Sequence, residues 1–310
     1  MASDIFSKDA RLYLMGLAIT GVVMVHVATQ EVDHPIYKII LYLFSKGHLG
    51  VNVFFLLSVY GLCYSYNNNN LKRFYLNRLL RIWPIFPVAL VARYFVNSIP
   101  LKEAFERFIY EISGLFLFQV KRDFFWYMGV LTLLYLLFPL LYEIFNKFKN
   151  YKITFFLLLC LLSHVLVMFD FESNDIWLYT ITRIPTIYLG FLTFFCVRDN
   201  EVNTLYLTYG FCALLSLTQI NEMTCLYLPA AMLLISFSKV KPFAKQISFL
   251  GKHSLEIYLG HTFAVYHILS FPWPYLINLA LFFLLATLYS YLLYLVQHLF
   301  HKYISCKLLT

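Results

Sequence analysis

The stretch LYLMGLAITGVVMVHVA, residues 12–28, decides the fold of this chain. Almost every side chain in it is hydrocarbon, and a helix needs roughly 20 such residues to cross a bilayer. Its one side chain that ionises near neutral pH is that of His26. Such a side chain costs about 3 kcal/mol or more to insert, so it usually faces a cavity or a polar partner. The stretch therefore predicts a membrane-spanning helix and makes His26 a candidate for chemistry.

The composition extends this prediction to the whole chain. Of its 310 residues, 61% are hydrophobic and 13% are charged, whereas about a quarter are charged in an ordinary soluble domain. Further apolar runs near spanning length are Val51–Tyr66, Gly129–Tyr142, Ile153–Phe169, Tyr179–Cys196, Leu205–Leu217, Thr224–Phe237, Ile247–Phe263 and Leu276–Leu299. We predict an all-α fold, a polytopic membrane helix bundle of about ten transmembrane helices. It would form a single membrane-embedded domain over residues 1–310.

The net charge of +8 has two interpretations, nucleic-acid binding and membrane topology. With a cytoplasmic N-terminus and about ten crossings, sixteen Lys and Arg residues fall on the inner side and six on the outer side. An excess of cations in cytoplasmic loops is the positive-inside pattern of membrane proteins. We therefore expect both termini in the cytoplasm and no nucleic-acid partner.

Several kinds of catalytic or metal site lack sequence support. The six cysteines are scattered and form no CxxC pair, so neither a disulfide framework nor a metal site is predicted. GxSxG, HExxH and Walker motifs do not occur in the sequence, which leaves serine hydrolase, metalloprotease and P-loop mechanisms without support.

Four sets of polar residues in apolar surroundings each admit two interpretations. His26 is either a general base or acyl carrier, or an imidazole that bonds to a neighbouring helix. Arg78 and Arg81 share a helical face and suit either phosphate groups or anionic lipid. Ser254, Tyr258 and His261 recur along one face of the ninth predicted span. They either line a cavity or hydrogen-bond between helices. A buried cation, Arg183, suits an acceptor glycan or a nearby carboxylate.

Six segments together resemble one known family. They are LMGLAITGVVMVH (14–26), GVNVFFLLSVYGLCYSY (50–66), FYLNRLLRIWPIF (74–86), FFWYMGVLTLLYLLFPLL (124–141), RIPTIYLG (183–190) and LGKHSLEIYLGH (250–261). Taken in this order, they resemble the acyltransferase 3 family of integral-membrane acyltransferases. The resemblance runs over nearly the whole chain.

The resemblance implies an enzyme, an O-acyltransferase that depends on acetyl-coenzyme A. It would move an acyl group, most commonly acetyl, to a hydroxyl of a cell-surface polysaccharide or a lipid-linked glycan. The expected partners are acyl-coenzyme A, the glycan or lipid-linked saccharide and the lipid bilayer. The expected location is the bacterial cytoplasmic (inner) membrane. Acetyl-coenzyme A enters as the donor substrate, and no permanently bound cofactor is expected.

The resemblance also assigns roles to residues. It makes His26 the catalytic residue and favours the phosphate interpretation of Arg78 and Arg81. Arg11, one turn before the position where the family has an arginine, is a third donor-binding candidate, because its long side chain can partly substitute for that arginine. The residues that the resemblance and the buried polar pattern place on a cavity or acceptor site are Ser58, Trp126, Arg183, Ser254, Tyr258 and His261.

Two positions depart from the family pattern. Met15 stands where the family has an arginine, and Val59 stands where it usually has a glycine after Ser58. An arginine at 15 would lie on the face of His26, about 16 Å away along the helix. A branched side chain at 59 would narrow a helix contact or a passage. Both departures favour an alternative, a non-catalytic relative that exports or flips a glycan or lipid intermediate.

Overall fold

The computed structural model describes residues 6–27, 39, 41–42, 44–96, 98–118, 125–168, 180–216, 228–268 and 274–308. These residues are overwhelmingly helical and contain no strand. The all-α prediction is therefore confirmed.

The described α-helices are numbered here in chain order. They are α1 (Lys8–Val27), α2 (Gly50–Asn67), α3 (Leu71–Ile82), α4 (Phe86–Val96), α5 (Leu101–Ile112), α6 (Trp126–Lys147), α7 (Lys152–Met168), α8 (Ile184–Arg198), α9 (Val202–Ser216), α10 (Leu228–Phe237), α11 (Ala244–Lys252), α12 (Ser254–Ile268) and α13 (Tyr275–Leu308). Short 3₁₀ helices cover Lys46–Leu49, Leu115–Phe118 and Lys149–Tyr151.

The protein is an integral membrane protein, although the predicted number of spans is not confirmed. Among the described residues, six helical segments are long and apolar enough to cross a membrane: Lys8–Val27, Lys46–Asn67, Leu71–Phe95, Trp126–Lys147, Lys149–Leu166 and Leu276–Tyr303. Two apolar helices, α8 and α10, are shorter. Large apolar side chains such as Leu158, Leu161, Leu284 and Leu288 are exposed on α7 and α13. This is the surface that a bilayer would cover.

Two apolar segments bend or break within their length. The predicted run Ile247–Phe263 is divided into α11 and α12, because the backbone at His253 leaves the helical region with φ −104° and ψ 21°. The helix α3 ends before Pro84, whose ring cannot supply the N–H that a continuing helix needs. In the predicted run Thr224–Phe237, the described helix begins at Leu228; residues 224–227 lie outside the described residues.

The helix α1 packs against α2, α11 and α12. Two glycines allow α11 to approach it backbone to backbone. A Cβ at Gly16 would overlap the carbonyl oxygen of Ile247, and a Cβ at Gly251 would overlap the carbonyl oxygen of Leu12. This close crossing places the end of α11 at the depth of residues 12–16 of α1, where the candidate site lies.

Candidate active site

A cavity of about 520 Å³ lies between α1, α2, α3, α6 and the junction of α11 and α12. We call it the cationic cavity. Its charged lining residues are all positive: Arg11, Arg78, Arg81 and Lys252. Its other polar lining residues are Ser58, Asn77, Tyr127, Tyr135, Ser254 and Tyr258. Among the described residues that line it, none is Asp or Glu.

Arg78 and Arg81 reach this cavity from α3, where their spacing of three places them on one face. An Nη of Arg78 donates a 2.7 Å hydrogen bond to the hydroxyl of Ser65. Its guanidinium also lies 5.9 Å from the centre of the Tyr135 ring. Arg81 lies 3.7 Å from a carboxylate oxygen of Glu256, and 40% of its side chain is exposed. Each guanidinium is therefore positioned by a neighbour and retains donors for a ligand.

Arg11 and Lys252 reach the same cavity from α1 and from the end of α11. Within the described residues, the buried Nε of Arg11 has no hydrogen-bond partner. Met15 also lines the cavity, one turn from Arg11 along α1. The close contact between Gly251 and the carbonyl of Leu12 brings Lys252 to this level of α1. Although Met15 replaces the arginine of the family pattern, two other cations, Arg11 and Lys252, lie on this wall of the cavity.

The predicted catalytic residue does not line the cationic cavity. His26 is half-buried near the end of α1, and the centre of its ring lies 5.2 Å from that of His261. The His261 ring lies 5.4 Å from that of Tyr258, which lines the cavity. The rings of Tyr258 and Tyr127 lie 5.2 Å apart. Tyr258 thus connects the cavity to the pair of histidines.

Trp126 and Arg183 form a separate group. The guanidinium of Arg183 lies 4.8 Å from the centre of the Trp126 ring, and Arg183 is only 2% exposed. Neither residue lines the cationic cavity. The ring of Phe55 lies 6.1 Å from Trp126 and 5.0 Å from Tyr127, so one aromatic side chain separates this group from the cavity.

Val59 lies in a helix contact and not in the cavity. It is fully buried, and a Cβ at Gly190 would be 2.6 Å from the Cβ of Val59. The branched side chain of α2 therefore packs over a glycine of α8. Ser58, the preceding residue, lines the cavity instead. Val59 consequently does not narrow the cationic cavity.

The sequence patterns predict part of this site but not all of it. Of the predicted residues, Arg11, Arg78, Arg81, Ser58, Ser254 and Tyr258 share the cavity, and His26 pairs with His261 beside it. Lys252 was missed, as were Asn77, Tyr127 and Tyr135. The motif LGKHSLEIYLGH contains Lys252 two residues before Ser254, and this position was the available signal.

The fold and the site define an integral-membrane helical protein with a cavity lined by cations next to a pair of histidines. The acyltransferase 3 family, described as an acyltransferase domain, matches residues 13–296, nearly the whole chain. The chain belongs to this family of acyltransferases. No curated protein and no solved structure shows significant similarity to it.

Proposed function

We propose that this protein is a membrane O-acyltransferase that moves an acyl group, most commonly acetyl, from acyl-coenzyme A to a hydroxyl of a cell-surface polysaccharide or a lipid-linked glycan. The observation that carries the proposal is the cationic cavity, which has four cations and no acidic lining residue among those described. Coenzyme A is a polyanion of phosphates. Guanidinium and ammonium groups bind such oxygens through charge-assisted hydrogen bonds.

The direction of transfer follows from the predicted topology. Arg11, Arg78, Arg81 and Lys252 all count among the inner cations, so the donor would enter from the cytoplasm. His26 lies about 16 Å further along α1 than Met15. The acyl end of the donor would then pass the Tyr127–Tyr258 pair to reach the histidines. We place the protein in a bacterial inner membrane with both termini in the cytoplasm.

The reaction requires one proton to be moved. The acceptor hydroxyl oxygen attacks the thioester carbonyl carbon while His26 takes the hydroxyl proton. The carbon–sulfur bond then breaks, and the thiolate of coenzyme A leaves and receives the proton that His26 holds. The products are the glycan ester and free coenzyme A. A positioned base of this kind contributes about 10² to 10⁴-fold to the rate.

The test uses the full chain purified in detergent or nanodiscs. We expect it to bind acetyl-coenzyme A and to transfer labelled acetyl to glycan or, slowly, to water. His26→Ala should lower turnover by about 10² to 10⁴-fold while donor binding is retained. His298→Ala is the matched control, since His298 is exposed on α13 and should not affect turnover.

Two results would overturn the proposal. The first is the absence of measurable acetyl-coenzyme A binding. The second is equal acetylation of surface glycan, by mass spectrometry, in cells that carry the wild type or His26→Ala. Glycan that accumulates inside cells lacking the protein, with no change in its acetylation, would instead indicate the transport alternative.

A further inference from the structure

We propose that His261 is a positioning residue for His26. Nε2 of His261 accepts a hydrogen bond from a ring N–H of His26, so that the other ring nitrogen of His26 faces the acceptor hydroxyl. This role rests on the proposed acyl transfer. It concerns the same site and identifies the group that orients the base.

A backbone carbonyl determines which nitrogen of His261 carries the proton. Nδ1 of His261 lies 3.1 Å from the carbonyl oxygen of Ile257, one turn earlier in α12. A carbonyl oxygen can only accept a hydrogen bond, so Nδ1 must be the donor. In a neutral imidazole the lone pair then resides on Nε2. The helix itself therefore presents Nε2 as a hydrogen-bond acceptor.

This acceptor is buried without a partner. His261 is 0% exposed, and its Nε2 has no hydrogen-bond partner among the residues that the structure describes. A buried polar atom left unsatisfied costs about 1–3 kcal/mol. An acceptor that another group uses during the reaction cycle would account for this arrangement.

The group in position to use it is His26. The two imidazole rings lie 5.2 Å apart between centres and are inclined by 39°. At this separation, a modest ring rotation brings an N–H of one within hydrogen-bonding reach of the other, about 3 Å between nitrogens. A histidine whose one nitrogen donates to a fixed acceptor offers its other nitrogen as a base. This is how an orienting partner acts on a catalytic histidine.

The packing around the pair keeps both helices in place. Val27, next to His26, joins a small buried cluster with Ala264, Phe282 and Ala286. This cluster connects α1, α12 and α13 beside the two histidines. One turn before Ala264, on the same face of α12, a Cβ at Gly260 would overlap the hydroxyl of Ser290 of α13. The His26–His261 separation is therefore set by the bundle and does not depend on a loop.

Two substitutions of His261 separate a positioning role from a purely structural one. His261→Asn places an amide N–H where Nδ1 was, so it retains the bond to Ile257 but lacks the acceptor at Nε2. His261→Gln places its amide near Nε2, so it retains an acceptor but loses the bond to Ile257. A structural role predicts that Asn is the better replacement, and a positioning role predicts that Gln is.

The experiment measures acetyl transfer, the KM for acetyl-coenzyme A and the melting temperature for the wild type and both variants. We expect His261→Asn to lower kcat by about 10²-fold or more with an unchanged donor KM. We expect His261→Gln to retain kcat within about tenfold of the wild type. A kcat for His261→Asn equal to or above that for His261→Gln would overturn the inference and leave the proposed function standing. A wild type without acetyl transfer would overturn both.

A measurement on the wild type keeps the test decisive if either variant does not fold. With ¹⁵N-labelled histidine, His261 should show a protonated Nδ1 and an unprotonated Nε2. Replacement of His26 by Ala should shift the Nε2 resonance of His261, because its hydrogen-bond donor is removed. An Nε2 resonance that does not move would overturn the inference.

Discussion

Two groups of cations, both on the predicted inner side, have opposite surroundings. The first is the cationic cavity, with Arg11, Arg78, Arg81 and Lys252. The second, which we call the paired cluster, consists of Lys149, Arg198 and Asp199. The cavity contributes four cations and the paired cluster contributes two, but only in the paired cluster does every cation contact a carboxylate.

In the paired cluster, one carboxylate serves two cations. The Nε of Arg198 lies 2.8 Å from Asp199 Oδ1, and the Nζ of Lys149 lies 3.1 Å from Oδ2. Arg198 also donates to the amide oxygen of Asn146 at 3.1 Å. These bonds connect the end of α8 to the end of α6 and the turn that follows it. The cluster therefore fastens helices together.

In the cationic cavity, four cations face one nearby carboxylate, that of Glu256, which lies 3.7 Å from Arg81. At least three positive charges thus remain without a paired carboxylate in the part of the chain that the structure describes. Gathering like charges destabilises a fold. The difference between the two groups supports the proposed binding of an anionic donor in the cavity, whereas the cations of the paired cluster already have a carboxylate partner.

The largest effect is expected from removing cations of the cavity. Arg78→Met with Arg81→Met should weaken acetyl-coenzyme A binding by about 10² to 10⁴-fold, because each charged hydrogen bond contributes about 1.5–3 kcal/mol. Titration calorimetry with purified protein measures this. In the matched control, Lys149→Met with Arg198→Met should lower the melting temperature and leave the affinity within about twofold. Equal loss of affinity in both double variants would show that pairing does not distinguish the two groups.

A smaller effect is expected from the cation that compensates for Met15. Lys252→Met should weaken donor binding by about tenfold, the loss of one charged contact of about 1.4 kcal/mol. Because Met15 and Lys252 line the same cavity, Met15→Arg should restore affinity in the Lys252→Met background. If Met15→Arg strengthens binding equally with Lys252 present or absent, the two positions act independently and compensation is excluded.

Much of the cavity was predictable because it depends on local patterns. Arg78 and Arg81 share a face by spacing alone, as do Ser254 and Tyr258. The helical, membrane-embedded class follows from composition. The number of spans does not, since an apolar run such as Ile247–Phe263 does not reveal the break at His253.

The partners of each cation were not predictable, because they depend on contacts between distant segments. Lys252 joins Arg11 through the glycine contact between α11 and α1. Arg198 forms an ion pair with the adjacent Asp199 and donates a hydrogen bond to Asn146 of another helix. Sequence patterns place a residue on a helical face, but only the packed bundle decides what that face meets.

Adding a carboxylate should affect donor binding in the cationic cavity but not in the paired cluster. Asn77→Asp introduces an anion on the wall of the cationic cavity and should weaken acetyl-coenzyme A binding about three- to fivefold through screened repulsion of phosphate. Asn146→Asp introduces one beside Arg198 and should leave donor affinity unchanged. Raising the salt concentration should reduce the difference between Asn77→Asp and the wild type. A difference that persists at 1 M salt would mean that Asn77→Asp acts through structure and not through charge.

The smallest effect concerns the stability that Asp199 contributes and its dependence on pH. The hydrogen bond from Arg198, supported by Lys149, holds the pKa of this carboxyl below its ordinary value of 3.8. A carboxyl with a lowered pKa in the folded state stabilises that state above the ordinary value, and the contribution is lost as the pH falls through the folded pKa. Asp199→Asn should therefore reduce stability by about 1 kcal/mol at neutral pH. The difference from the wild type should shrink only below about pH 4. Thermal unfolding in detergent between pH 3 and pH 7 measures this, and a difference that shrinks already near pH 6 would assign the effect to a histidine instead of Asp199.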